Sequence, residues 1–136
     1  MADIRRVNGN SILVVDDSSG SRILFRTLLE KAGFEVQCAK DATEALNILA
    51  NFRPDLILMD LLLPGVGGIA LTRQLKSIPA MQDTVIIAIT ACNLASDAEK
   101  ALAGGCDAVI VKPINPSTFV ARVRSYLDTL KPALDQ

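Results

Sequence analysis

Histidine is absent from this 136-residue chain, and so is tryptophan. The missing imidazole excludes a histidine-based triad, the usual zinc catalytic sites and any phosphohistidine carried by the chain itself. A histidine in its chemistry must therefore belong to a partner. Cysteine is scarce: Cys38, Cys92 and Cys106 are odd in number, widely spaced and without a C-x-x-C pair. That pattern argues against a disulfide framework or a zinc site and leaves small core residues. Long hydrophobic runs are missing as well; none exceeds seven residues, where a membrane helix needs about 20. The opening "MADIRRVNGN" lacks the apolar core of a signal peptide. Nor is there an excess of one charge, since 14 Lys and Arg face 15 Asp and Glu. Without a basic surplus to hold a phosphate backbone, direct nucleic-acid binding is not expected. The chain reads as cytoplasmic, with no membrane partner.

What is present is half hydrophobic and long enough for one domain that buries roughly two-thirds of its unfolded surface. Its expected extent is 10–130, with residues 1–9 and 131–136 as short flexible ends. Five apolar runs stand out: "SILVVD" (11–16), "FEVQCAK" (34–40), "DLILMD" (55–60), "TVIIAIT" (84–90) and "DAVIVK" (107–112). Four are nearly continuous Val, Ile and Leu, as strands buried on both faces should be. The second alternates Phe34, Val36 and Cys38 with Glu35, Gln37 and Ala39, which predicts an edge strand with one wetter face.

Helical patterns fill the gaps. "SRILFRTLLEKAG" has an apolar stripe of Ile23, Leu24 and Leu28 and stops at Gly33. Asp41 with Glu44, and Ser96 with Glu99, have capping-box spacing. Leu71, Leu75 and Ile78 form the inner stripe of a third helix, while Asn115 and Pro116 open the last. The order βαβαβαβαβα predicts an α/β, doubly wound, five-stranded parallel sheet with helices on both faces.

In such a sheet the ligand site lies beyond the carboxyl ends of the strands. Those ends carry Asp16-Asp17, Asp60, Thr90 and Lys112. If the first and third strands are neighbours, the acidic groups meet. Two carboxylates ~4 Å apart repel by on the order of 4 kcal/mol at an effective dielectric near 20. Lys112 offsets part of that, and a hard divalent ion, Mg²⁺ or Mn²⁺, suits an all-oxygen donor set. A carboxylate nucleophile, a metal, a lysine and a hydroxyl then make a phosphoryl-transfer site. A rival motif, G-x-G-x-x-A at Gly65, Gly67 and Ala70, would suggest a dinucleotide turn. "LLLP" separates it from its strand, however, and the first β–α turn, "VVDDSSGSR", is acidic. These glycines read as turn and packing residues.

"ILVVDD", "PDLILMDLLLPGVGG", "ITA" and "VKPI" together resemble the receiver domain of two-component response regulators, the CheY-like family, over roughly residues 10–130. The resemblance implies a (βα)5 flavodoxin-like fold with strand order 2-1-3-4-5. It makes Asp60 the phosphoacceptor, with Mg²⁺ held by Asp16, Asp17, Asp60 and the Leu62 backbone carbonyl. Thr90 would reach a phosphoryl oxygen, Lys112 would pair with the phosphoryl group, and the Lys112-Pro113 bond would be cis. The implied donor is a sensor histidine kinase or phosphotransfer protein docking near the first helix. A downstream protein partner, or phosphorylation-dependent self-association, would read the result.

Three departures qualify the likeness. Val109 stands where an aromatic residue is usual, three positions before the lysine. Leu62 and Cys92, two positions after Asp60 and Thr90, offer no polar group to orient water. "LLLP" replaces a more polar loop, with Leu61 and Leu63 expected to be half-buried packing residues. Arg22, Arg26 and Lys31 on the first helix read as a solvated face. The expected function is a single-domain phosphoacceptor switch rather than an enzyme. The alternatives are a receiver fragment of a larger hybrid kinase or regulator, and a Mg²⁺-dependent aspartyl-phosphate phosphohydrolase. The latter, in its haloacid-dehalogenase form, wants a second acid where Leu62 stands.

Overall fold

A computed structural model of the chain describes residues 11–91 and 95–130. Five strands, β1 (Ser11–Val15), β2 (Glu35–Ala39), β3 (Leu56–Asp60), β4 (Val85–Thr90) and β5 (Ala108–Val111), alternate with five helices. These are α1 (Ser19–Lys31), α2 (Ala42–Leu49), α3 (Gly68–Lys76), α4 (Ala95–Ala103) and α5 (Pro116–Leu130), with a 3-10 turn at Pro79–Met81. All strand pairs are parallel, in the order β2-β1-β3-β4-β5. The doubly wound, flavodoxin-like architecture is therefore the one expected.

Continuous apolar strands follow from burial on two sides. Ile12, Val14, Leu56 and Leu58 pack on one face with Phe25 and Leu29 of α1 and Phe119, Val123 and Leu127 of α5. Leu13, Val15, Ile57 and Met59 pack on the other with α2, α3 and α4. Each fully buried aliphatic side chain contributes about 1.5–3 kcal/mol, so the centre of the sheet is a rigid base for whatever its ends carry. Strand β2 is the predicted edge, with Glu35 exposed and Val36 buried; Ala39, expected on the wetter face, is buried against the α2 side.

Some sequence expectations need correction. On α1 the buried residues are Phe25 and Leu29, whereas Ile23 is 66% exposed and Leu24 also faces solvent. The chain there offered two overlapping stripes, and the larger aromatic took the core. Ile78 lies past the end of α3 and is exposed, as the chain leaves the helix for the 3-10 turn. Leu63 is fully buried rather than half-buried, while Leu61 does pack partly buried. Ser96 lies inside the first turn of α4 rather than capping it. Cys92 and both chain ends fall outside the described residues.

Other local signals hold. Asp41 caps α2, its Oδ1 accepting from the Glu44 amide at 2.9 Å, though Glu44 reaches back to Lys40 rather than to Asp41. Gly33 has φ 101° just past α1, a left-handed stop that suits glycine. Asn115 Oδ1 accepts from the Ser117 amide at the start of α5. The Lys112-Pro113 peptide bond is cis.

Candidate functional site

Register decides what meets at the top of the sheet. Val15 of β1 pairs with Met59 of β3, so the next residues, Asp16 and Asp60, emerge side by side. Carboxylate oxygens of Asp16, Asp17 and Asp60 all lie within 4.8 Å of one another. Asp16 is 1% exposed and Asp60 7%, while Asp17 faces solvent.

Every polar atom of Asp16 has a partner, its amide included, which donates to the Ala39 carbonyl at 3.0 Å. Its Oδ2 faces Lys112 Nζ at 3.2 Å, its Oδ1 accepts from the Ser18 amide at 2.9 Å, and its carbonyl accepts from Arg22 Nη1 at 2.8 Å. Asp16 thereby locks the β1–α1 turn, and Ser18 in turn caps α1 by accepting from the Ser21 amide. Arg22 and Arg26 are thus not simply a solvated face: Arg26 Nη2 donates to the Val36 carbonyl. Nothing in composition or spacing marks Arg22, because its partner is a backbone carbonyl.

Asp60 is held differently. Its Oδ1 accepts from the Leu62 amide at 3.0 Å, a tight side-chain turn, and the Leu61 amide continues the sheet by donating to the Ile89 carbonyl at 3.2 Å. The Asp60 carboxyl holds its proton more tightly than usual. Burial is the main cause, the Leu62 amide opposes it, Asp16 adds to it, Lys112 opposes it, and Asp17 adds a little.

Thr90 ends β4 with its side chain buried, opposite Val111. The Lys112 amide donates to the Thr90 carbonyl at 2.7 Å, so the ends of β4 and β5 are fastened together beside the pocket. The Leu62 side chain is 67% exposed. Val109 is half-buried against the α2–α4 side of the sheet.

The donor set fits a small hard cation. It is all oxygen, two of its carboxylates are desolvated, and histidine and cysteine are absent from it. Two ligands on opposite sides of Mg²⁺ are about 4.2 Å apart at the usual bond lengths. A spread of up to 4.8 Å therefore suits direct bonds from some oxygens and a bridging water to another.

Comparison with known proteins agrees with this geometry. The family model for the response regulator receiver domain matches residues 12–124. The polar-differentiation response regulator DivK of Brucella anthropi is 39% identical over 117 residues, which are 86% of this chain and 95% of that protein. The receiver domain of a signal transduction histidine kinase from Syntrophus aciditrophicus superimposes with a TM-score of 0.81 at 31% identity, covering 90% of this chain and 92% of that one. A receiver domain of a sensor histidine kinase from Pseudomonas aeruginosa, with a magnesium ion coordinated in its active-site cleft, gives 0.80 at 27% identity, covering 89% and 99%.

Proposed function

Since this chain belongs to the response regulator receiver family, we propose that it is a phosphorylation-controlled switch, with Asp60 as the residue that accepts the phosphoryl group. The observation that carries the reading is the meeting of three carboxylates at the ends of adjacent strands, with Lys112 beside them. Structural acids avoid one another. A cluster that repels itself needs a cationic occupant to be stable, and phosphoryl transfer supplies the use for one.

The geometry supports the following roles. Asp60 Oδ1 is occupied by the Leu62 amide, which leaves Oδ2 as the attacking atom. That oxygen forms a bond to phosphorus while the phosphorus–nitrogen bond of the donor phosphohistidine breaks, and the departing imidazole keeps the electron pair. Burial makes the carboxylate more basic, and with it more nucleophilic. Mg²⁺ held by Asp16, Asp17, Asp60 and the Leu62 carbonyl would neutralise the charge that accumulates on the phosphoryl oxygens. Lys112, released from Asp16, and the Thr90 hydroxyl would then hold the phosphoryl group. The donor is a histidine kinase or phosphotransfer protein, which agrees with the absence of histidine from this chain. The output is altered affinity for a protein partner or for a second copy, in the cytoplasm. Among the described residues no helix is long and apolar enough to cross a membrane.

The test is direct: incubate with acetyl phosphate and Mg²⁺ and weigh the intact protein. A gain of about 80 Da, lost in Asp60→Asn, is the expected result. No gain, or an equal gain in the variant, refutes the assignment.

A further inference from the structure

One glycine of "LLLPGVGGIA" lies against the backbone of the proposed phosphoacceptor. A Cβ built on Gly68 would collide with the Asp60 carbonyl oxygen, and would stand 2.9 Å from Leu61 Cα and 3.0 Å from the Asp60 carbonyl carbon. These are backbone atoms of a strand end and cannot step aside as a flexible side chain could. Gly67 is different: its Cβ would meet only the Leu61 carbonyl oxygen, at an ordinary 3.9 Å, and its φ of −70° suits any residue. Gly68 is therefore constrained by contact and not by backbone conformation.

The contact closes a loop. From Asp60 the chain runs out through Leu61 and Leu62, turns at Gly65 with φ 72°, and returns to start α3 at Gly68. The Gly68 amide donates to the carbonyl of the following peptide, Leu61–Leu62, at 3.3 Å, while the Gly68 Cα lies against the Asp60–Leu61 peptide itself. From the sheet side that peptide is fixed by β4, through the Leu61 amide and Ile89. We propose that Gly68 is a positioning residue for Asp60: its bare Cα lets α3 seat against the Asp60–Leu61 peptide and sets how far the Asp60 carboxylate stands from Asp16 and Asp17. The inference rests on the reading of Asp60 as the phosphoacceptor. Reactions that depend on near-attack geometry lose about 10²-fold for a misplacement of about 1 Å, and a methyl group at residue 68 forces a shift approaching that size.

The experiment compares wild type, Gly67→Ala and Gly68→Ala. Rates of acetyl phosphate labelling are measured at saturating Mg²⁺ and donor and normalised to the folded fraction from circular dichroism. Gly68→Ala should be slower by at least about tenfold, while Gly67→Ala should stay within about twofold of wild type. A role in stability alone would lower the melting temperature of Gly68→Ala without changing the normalised rate, and that outcome overturns the inference. A second measurement needs no variant. In the wild-type chain, Mg²⁺ with beryllofluoride should move the Gly68 amide resonance together with those of Leu61 and Leu62; a Gly68 amide that stays still overturns it equally. A wild type that takes up no phosphate would defeat the functional reading itself. A labelled wild type beside an equally fast, folded Gly68→Ala would defeat this inference alone.

Discussion

Replacing Asp60 by asparagine should make the metal-free protein more stable. Asparagine has the same shape, and its Oδ1 can still accept from the Leu62 amide, now 3.0 Å from Asp60 Oδ1. What it removes is one of three charges within 4.8 Å of one another. A like-charged pair at that distance costs about 3.5 kcal/mol at an effective dielectric of 20 and about 1 kcal/mol in water. Asp16 is buried, so the larger figure describes its repulsion of Asp60; Asp17 is exposed, so the smaller figure describes the other pair. Lys112, 3.2 Å from Asp16, cancels much of the sum. The net gain for Asp60→Asn is then about 1–2 kcal/mol, or roughly 3–8 °C in melting temperature for a chain of this size.

The pH dependence of this gain has a definite sign. Burial first, and the neighbouring acids after it, raise the Asp60 carboxyl above its ordinary value of 3.8. Between that value and the raised one, the folded protein binds more protons than the unfolded chain, so stability falls as pH rises through the interval. The advantage of Asp60→Asn should be complete above the raised value and should vanish as pH falls below 3.8, where both states of the wild type hold the proton. Urea unfolding in EDTA, followed by circular dichroism because there is no tryptophan, measures both. A variant no more stable than wild type at neutral pH would refute the electrostatic account. An advantage undiminished below pH 3.8 would refute it too.

Lys112→Ala removes the ammonium facing a carboxylate that is 1% exposed. Because that ammonium is partly solvated and the Ser18 amide remains on Asp16, the loss should be about 2–3 kcal/mol, at or below the low end for a broken buried pair. Excess Mg²⁺ should restore most of it; equal losses with and without Mg²⁺ in urea melts would contradict the shared-charge picture. The exposed Leu62 side chain beside Asp60 gives attacking water no acid or amide to lean on, help worth roughly 10²–10⁴-fold, so phosphate on Asp60 should outlast about a minute. Decay of the mass adduct within seconds in the isolated chain would show that some other group does that work.

The sheet was legible because burial on both faces leaves an unmistakable trace in "ILVV", "LILM" and "VIIAI", and parallel pairing follows from the alternating helices. The acidic cluster was legible for the same reason: residues at strand ends converge once strand order is known. Side chains that act on backbone atoms were not. Arg22 on the Asp16 carbonyl and Gly68 against the Asp60 peptide leave no pattern in the sequence, since a carbonyl is the same at every position. The α1 stripe failed for a different reason. Ile23, Leu24, Phe25, Leu28 and Leu29 offer more apolar surface than one face can bury, and hydrophobicity alone does not choose between overlapping faces.

The site's instability has one source. Among the described residues no amino acid other than glycine has a positive φ, and Asp16 and Asp60 continue strands whose neighbours are wholly buried. No left-handed backbone strain lies at Asp16 or Asp60, and the cost of the arrangement is repulsion between charges that a stiff sheet will not let separate. Repulsion of that kind answers to anything that changes charge: a proton, a cation, a phosphoryl group. It also fits that Asp16 is tied at its side chain and at its carbonyl while, among the described residues, the Asp60 carboxylate accepts from the Leu62 amide alone. Asp16 is bound at both carboxylate oxygens, whereas Asp60, the acid proposed to react, is bound among the described residues at one.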